Sequence, residues 1–314
     1  MRAVLLSLLV SCFVLGTADS VLAGGKNILK GIGEVGEVKE VFPFFRFQFT
    51  EGPAADTKGN VYFNDIPNNL TYKIDAKGIL SVFRNPSGHA NGLMVNQNGE
   101  IVSCEMDGRI TATQPGRKTR TRVLASEYKG KRFNAPNDLV IDKQGGFYFT
   151  DPLFRAPMPL PQDTMGVYYV SAKGKVTRVI ESLPAPNGVI LSPDEKTLYI
   201  VPSRSKKMMS YPVEAPGKLG EGRVFCELRQ AQKGGNSGGD GLTVDVKGNL
   251  YITSGLGLQV FSPKGEYLGV IEIPQRPANV TFAGKNGTTL YVTARTAVYT
   301  VEMPIGGHQF ARGK

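Results

Sequence analysis

Along the chain, short apolar and aromatic runs alternate with turns rich in Gly, Asp, Asn and Pro, and no long stretch follows helical periodicity. Residues 61–63, 71–74, 80–83, 167–170 and 176–180 have the length and the β-branched and aromatic content of strands. The pattern predicts an all-β chain. It also repeats. Six segments share one plan: an acidic or amide residue, usually followed by Gly or Asp and then an apolar residue, a polar turn, and an apolar strand. They begin at Glu51-Gly52-Pro53, Asn91-Gly92-Leu93, Asn137-Asp138-Leu139, Asn187-Gly188-Val189, Asp240-Gly241-Leu242 and Asn279-Val280-Thr281.

The leading residues are separated by 40, 46, 50, 53 and 39 positions, a period suited to a four-stranded propeller blade. Eight residues after each stands the turn position: Gly59, Gly99, Gly145, Glu195, Gly248 and Gly287. Only the fourth lacks Gly, and Ser192-Pro193-Asp194 supplies turn chemistry there. The prediction is one six-bladed β-propeller of four-stranded antiparallel blades over residues 24–314, with no internal boundary. Residues 35–41 are expected to supply the outer strand of the sixth blade and close the ring. Phe42, Phe44, Phe45, Phe47 and Phe49 are expected to pack between blades.

In a propeller the innermost strand of every blade lines the axial channel, so a residue at one fixed position in each repeat takes equivalent places around the axis. Glu51, Asn91, Asn137, Asn187, Asp240 and Asn279 therefore converge as a ring of oxygen-bearing side chains. Carboxylates and amide carbonyls are donors for a hard divalent cation, Ca²⁺ first, whereas the His and Cys donors that favour zinc are missing from these positions. The plainer alternative is that each Asn-Gly or Asp-Gly only shapes a tight turn. The constant offset, with Glu at the first position, favours the ring.

Composition changes this picture little. The 314 residues carry a net charge of +10, but the basic residues are scattered; the densest stretch, Arg117 to Arg122, alternates with Thr after Pro115-Gly116 as on a solvated outer strand. No nucleic-acid partner is expected. Residues 1–23 have the form of a cleavable signal peptide: Arg2, an apolar run, and Val21-Leu22-Ala23 before Gly24. The mature protein is expected to be periplasmic or secreted, without stable membrane insertion. Leu9-Val10-Ser11-Cys12 also fits a lipoprotein box, but the apolar run continues past Cys12. Cys104 and Cys226 are expected to be buried free thiols.

These residues are where the chain resembles the regucalcin and gluconolactonase family, also called the senescence marker protein family, whose six-bladed propellers include lactonases and relatives of calcium-dependent organophosphate hydrolases. The resemblance spans nearly the whole mature chain. It is most specific at Glu51-Gly52-Pro53, Pro136-Asn137-Asp138-Leu139 with Tyr148-Phe149-Thr150-Asp151-Pro152, Pro186-Asn187-Gly188 and Asp240-Gly241. It implies that Glu51, Asn187 and Asp240 are metal ligands and that Asn137 is a direct or water-mediated ligand that also touches substrate. Asp240 would be the general base, or the nucleophile in a phosphotriesterase-like mechanism. Asn91 and Asn279 are similar in position to substrate-facing channel residues. The chain departs from the family at Ala135, where regucalcin-type members carry a sugar-contacting Arg; Arg132 and Arg155 are the nearby candidates to replace it.

The activity this implies is calcium-dependent opening of a small-molecule lactone. The rivals are a non-catalytic ligand-binding propeller and a phosphotriesterase-like hydrolase. His89, two residues before Asn91, is a candidate pocket residue for substrate contact or proton transfer. Asp151 is expected to be structural. Gly235-Asn236-Ser237-Gly238-Gly239 has the spacing of a serine-hydrolase elbow but precedes a strand, so a glycine-rich loop at the channel rim is expected. Gly31-x-Gly33-x-x-Gly36 matches a dinucleotide fingerprint in spacing only and is expected to be a flexible lead-in.

Overall fold

The computed structural model describes residues 28–116, 119–181 and 183–310. The expected signal peptide, Cys12 and the Arg117-Lys118 pair lie outside the described residues.

Each inner hairpin is organised by repeated turn chemistry. Oδ1 of Asp56, Asn96, Asp142 and Asp245 accepts two backbone N–H groups apiece, two and four residues on, at 2.9 to 3.0 Å. The second oxygen of three of these carboxylates accepts a buried tyrosine hydroxyl: Tyr62 on Asp56, Tyr169 on Asp142 and Tyr251 on Asp245. Three residues past each of these side chains, the chain is left-handed. Gly59, Gly99, Gly145 and Gly248 have φ of +82°, +73°, +83° and +82°, and their counterparts Glu195 and Gly287 have +57° and +68°. Such backbone favours glycine. Glu195 occupies it with its carboxylate accepting the Lys143 N–H at 2.9 Å.

Six antiparallel sheets result. Blade 1 is Thr50–Ala55, Val61–Asp65, Leu70–Ile74 and Leu80–Arg84; blade 2 is Ala90–Val95, Ile101–Glu105, Arg109–Gln114 and Arg120–Ala125. Blade 3 is Leu139–Ile141, Phe147–Asp151, Gly166–Val170 and Val176–Glu181. Blade 4 is Pro186–Leu191, Thr197–Pro202, Lys207–Ala215 and Arg223–Glu227, with Lys218–Leu219 as an added short strand. Blade 5 is Leu242–Val244, Leu250–Ser254, Gly257–Phe261 and Tyr267–Ile271. Blade 6 is Asn279–Ala283, Thr289–Ala294 and Ala297–Glu302, and its outer strand is Lys39–Glu40 from the start of the domain. The ring thus closes as the sequence predicts, with chain ends sharing one sheet.

The core lies between blades. Tyr62, Phe63, Tyr148, Phe149, Tyr168 and Tyr251 are fully buried. Of the early phenylalanines, Phe47 packs edge-on against Phe63 and Tyr72, whereas Phe44 is fully exposed. The expected flexible lead-in is instead an anchored hairpin: Ile28–Leu29 pairs with Gly33–Glu34, and Leu29 and Val35 are buried against blades 5 and 6. Cys104 and Cys226 are buried and unbridged.

Around the axis, the carbonyl of the leading residue of one blade is hydrogen-bonded by the blade before it. Asn64 Nδ2 donates to Asn91 O at 2.6 Å, Gly92 N to Asn137 O at 2.7 Å and Thr150 Oγ1 to Asn187 O at 2.6 Å. Gly188 N donates to Asp240 O at 3.0 Å, and Gly241 N to Ala278 O at 2.7 Å. This approach is why glycine follows the leading residue. A Cβ on Gly188 would stand 2.6 Å from Asp240 O, and one on Gly241 would collide with Asn279. Gly92, Gly188 and Gly241 do not have positive φ, so these pairs are contact sites between blades and not the tight turns of the alternative reading. Gly188→Ala is expected to lower the unfolding free energy by about 2 to 4 kcal/mol in urea melts, as overpacking against backbone does. Gly255→Ala, in open space on ordinary backbone, is expected to stay within about 0.5 kcal/mol of wild type.

Candidate active site

The leading residues open one cavity of about 440 Å³ at an end of the axis. Glu51, Asn91, Asn137, Asn187 and Asp240 all line it, so five of the six predicted ring members are brought together. The sixth place belongs to Ala278. Its carbonyl receives the Gly241 N–H, and its own N–H bonds Thr293 O at 2.8 Å, as Asp240 N bonds Thr253 O in blade 5. The inner hairpin of blade 6 is longer between axis and turn: its last pair, Ala283↔Thr289, comes five residues after Ala278, whereas Val244↔Leu250 comes four after Asp240. Counting from the turn therefore lands on Asn279, one step too deep.

Asn279 lies below the ring, across the axis from Asp138, the second residue of blade 3. Its Nδ2 donates to Asp138 Oδ2 at 3.4 Å, and its Oδ1 accepts the Val280 N–H at 2.8 Å. Asp138 Oδ1 accepts the Leu139 N–H at 2.9 Å. In blades 1, 2, 4 and 5 the second position is glycine, so these two side chains have room to meet. They form a floor between the cavity and a narrow space of about 90 Å³ closed at the far side by His308, Gln309 and Phe310.

His89 is a second correction: it does not line the cavity. Its Nδ1 is 3.0 Å from Asp107 Oδ1 at the surface, and a left-handed φ of +50° turns the chain there. Asp151 accepts the N–H groups of Asn134 and Ala135 at 2.8 Å each and so fixes the segment leading into Asn137. Ala135 is buried with Ile66 and Met106, with Phe49 and Phe154 against them, which makes this wall apolar. Arg132 turns to the carbonyls of Phe133 and Asn134, while Arg155 lines the cavity. Gly239, from the glycine-rich segment, also lines it, and Ser237 is exposed.

Sequence reasoning missed Arg276 and Arg295, which flank blade 6 at the rim, Ser203, which accepts from Asn187 Nδ2 at 2.9 Å, and Asp138 as a floor residue. The exception at Asp138 was visible, since it stands where four other repeats carry glycine. The arginines lie outside the repeated motif and left no such signal.

Burial and the facing Asp240 charge hold the Glu51 carboxyl well above the usual carboxylate range, although Gly52 N–H bonds its Oε2 at 2.9 Å. Asp240 is pushed up to about 6 by burial, against the Asn187 amide and the charges of Arg276 and Arg295. Asp138 is pushed up to about 7 by burial, against the Leu139 N–H and the Asn279 amide. Asn91 Oδ1 is buried with no hydrogen-bond partner. Two crowded carboxylates and three amides, one of them with an orphaned oxygen, suit a hard cation, which would relieve both the repulsion and the missing bond. Among the described residues no group of three or more His, Cys, Asp or Glu is placed to hold a metal, so amide oxygens must complete any such set.

Comparison with known proteins gives concordant matches. The family model for the SMP-30/Gluconolactonase/LRE-like region matches residues 49–296. A gluconolactonase from Zymomonas mobilis is 34% identical over 278 residues, covering 81% of this chain and 78% of the relative. A lactonase drp35 from Staphylococcus haemolyticus is 29% identical over 239 residues, covering 72% and 70%. The solved structure of a gluconolactonase from Xanthomonas campestris superposes with a TM-score of 0.80 at 26% identity, covering 90% of this chain and 96% of the other.

Asn279→Leu removes both the amide facing Asp138 and the acceptor of the Val280 N–H. Loss of about 1 to 3 kcal/mol of stability is expected, read as a lower urea midpoint at unchanged slope.

Proposed function

Because the chain belongs to the SMP-30/gluconolactonase/LRE-like family, we propose that it is a divalent-cation-dependent hydrolase that opens a small-molecule lactone. The observation that carries this reading is the convergence of Glu51, Asn91, Asn137, Asn187 and Asp240 on one cavity, with two carboxylates held close despite mutual repulsion. The gluconolactonase relative, at 34% identity, supports the lactone as substrate class. Glu51, Asn137, Asn187 and Asp240 would hold the cation, calcium by the all-oxygen donor set. What the ion supplies there when bound is Lewis-acid polarisation of the lactone carbonyl.

The chain's own side chains do the rest. Asp240 takes a proton from the attacking water while the water oxygen bonds to the carbonyl carbon. The ring C–O bond then breaks, and the same proton passes to the departing ring oxygen, leaving a hydroxy acid. Asn187 orients Asp240 by its amide hydrogen bond and is itself held by Ser203, whose Oγ donates to Gly239 O at 3.1 Å. Glu51 is fixed by the Gly52 N–H. Asn137 and Asn91 present amide groups to the substrate. The apolar wall of Ile66, Met106, Phe49 and Phe154 shields the reacting centre and stands where a sugar-binding Arg is replaced by Ala135. A lactone with a hydrocarbon face suits that wall better than one hydroxylated all round. Export through residues 1–23 is part of the same proposal.

The test is a panel of lactones and arylphosphotriesters assayed on the mature protein with calcium and with chelator. Lactone turnover that disappears with chelator supports the proposal; turnover of phosphotriesters alone, or of nothing, overturns it. Asp240→Asn is expected to lower kcat by about 100-fold or more with the fold retained by circular dichroism. Independently of activity, calcium at about 100 times its Kd is expected to add about 2.7 kcal/mol to the stability of the wild type, seen as a higher Tm. Glu51→Gln is expected to lose most of that increment.

A further inference from the structure

Three arginines reach the cavity from loops at its rim: Arg155 between the second and third strands of blade 3, and Arg276 and Arg295 on either side of the inner hairpin of blade 6. Blades 3 and 6 face each other across the axis. Arg276 and Arg295 are brought side by side by their neighbours, because Gln275 Oε1 accepts both the N–H and the Oγ1–H of Thr296, at 3.0 and 3.1 Å. The charges of both act on Asp240. The Arg295 guanidinium lies over Phe49, 5.3 Å from the ring centroid, a face that orients it without neutralising it.

Among the described residues none of the three has a carboxylate within ion-pair distance. By contrast, Arg84 of blade 1 and Arg109 of blade 2 both pair with Glu105. Two of the three also sit on left-handed backbone, Arg155 at φ +60° and Arg295 at +50°, where glycine or asparagine is the easier residue. Such positions with a long charged side chain turned to a cavity are what a ligand contact requires, and a planar guanidinium matches carboxylate and phosphate oxygens in pairs. The acidic residues of the ring form no close ion pair with them, although the charges of Arg276 and Arg295 act on Asp240. Glu51 and Asp240 are the carboxylates committed to the cation, and the net charge of +10 draws anions toward the molecule.

We propose that the lactone this site takes carries a negatively charged substituent, a carboxylate or a phosphate, which Arg276 and Arg295 bind at the blade 6 side of the rim with Arg155 facing it from blade 3. The inference rests on the lactonase reading and names the substrate class within it. The lactone ring then lies between the apolar wall and Asp240, with its charged group directed out of the ring of oxygen donors toward the rim.

The experiment compares paired lactones that differ only in charge: the γ-lactone of 2-hydroxyglutarate against its carboxamide, and 6-phosphoglucono-1,5-lactone against glucono-1,5-lactone. In at least one pair, kcat/KM for the anionic member is expected to exceed that of the neutral member by about tenfold or more, with the preference shrinking as salt is raised. The pair that shows it distinguishes carboxylate from phosphate. Arg276→Gln with Arg295→Gln is expected to bring the ratio near one through KM, and Arg295→Glu to invert it, while Arg276→Lys keeps part of the preference. All four substitutions fall at two exposed positions, and their folding is checked by melting curves. Ratios near or below one in both pairs, or a preference untouched by the double variant, would overturn the proposal. If no lactone is turned over, the lactonase reading fails by itself, and calorimetry with 2-hydroxyglutarate against 4-hydroxybutyrate decides the anion site. Arginine-dependent tighter binding of the dicarboxylate sustains that site, and equal binding of the two removes it.

Discussion

The hydrogen bonds that join neighbouring blades at the axis determine what the rest of the molecule can be. Each innermost strand runs beside the next at the level of its leading residue, and the carbonyl there is taken by an N–H, hydroxyl or amide of the preceding blade, from Asn91 O around to Ala278 O. A residue whose backbone is held on one side has little choice about where its side chain points. The donors converge because their carbonyls are tied, and the glycine that follows each leading residue in blades 1, 2, 4 and 5 leaves the space for that tie. Convergence of unlike polar groups costs desolvation and repulsion, which the backbone connections and the aromatic packing between blades withstand.

Asymmetry in chemistry is then laid on a nearly symmetric backbone. Asp138 and Asn279 occupy second positions in opposite blades and meet across the channel, so the axis is blocked below the ring and the ligand cavity is open at one end only. Glu51 and Asp240 belong to blades 1 and 5, on either side of blade 6. Their mutual effect raises the Glu51 carboxyl further than burial alone would, and the Asn187 amide and two arginines moderate the rise at Asp240. The guanidinium charges thus act on Asp240, the carboxylate of blade 5.

What could be read from the amino-acid sequence was whatever the repeat enforces. The blade number, the closing strand, the Asx and glycine turn chemistry and five ring residues all follow from a constant offset between a leading residue and its turn. The failures share a physical origin. Asn279 was misplaced because blade 6 has a longer inner hairpin, and phase counted from a turn does not detect residues added between turn and axis. His89 was included for its closeness in sequence to Asn91, but a left-handed step at His89 itself sends its ring to Asp107. Arg276 and Arg295 come from connections at the opposite end of the strands from the repeated turn, where neither length nor composition recurs. The Asp138–Asn279 contact joins residues 141 apart in sequence and requires knowing which blades stand opposite.

Ala278 has a consequence for how a ligand approaches. A sixth oxygen donor there would close the ring between Glu51 and Asp240 and bring another polar side chain beneath Arg276 and Arg295. Alanine leaves that sector empty above the Asn279 floor, so the two carboxylates are separated by a gap at the blade 6 side and the arginines overhang it. Around blades 1 to 3, the wall formed by Ile66, Met106 and Ala135 with Phe49 and Phe154 is apolar. A ligand entering from solvent therefore meets hydrocarbon with Arg155 over blades 1 to 3 and the pair Arg276 and Arg295 over blade 6, with the oxygen ring beneath. That polarity orients it before any reacting atom is engaged, because reversing the ligand would leave its charge with Arg155 alone and place its apolar part beneath Arg276 and Arg295. The shortest side chain in the ring is on this argument a determinant of orientation, acting through the space it leaves.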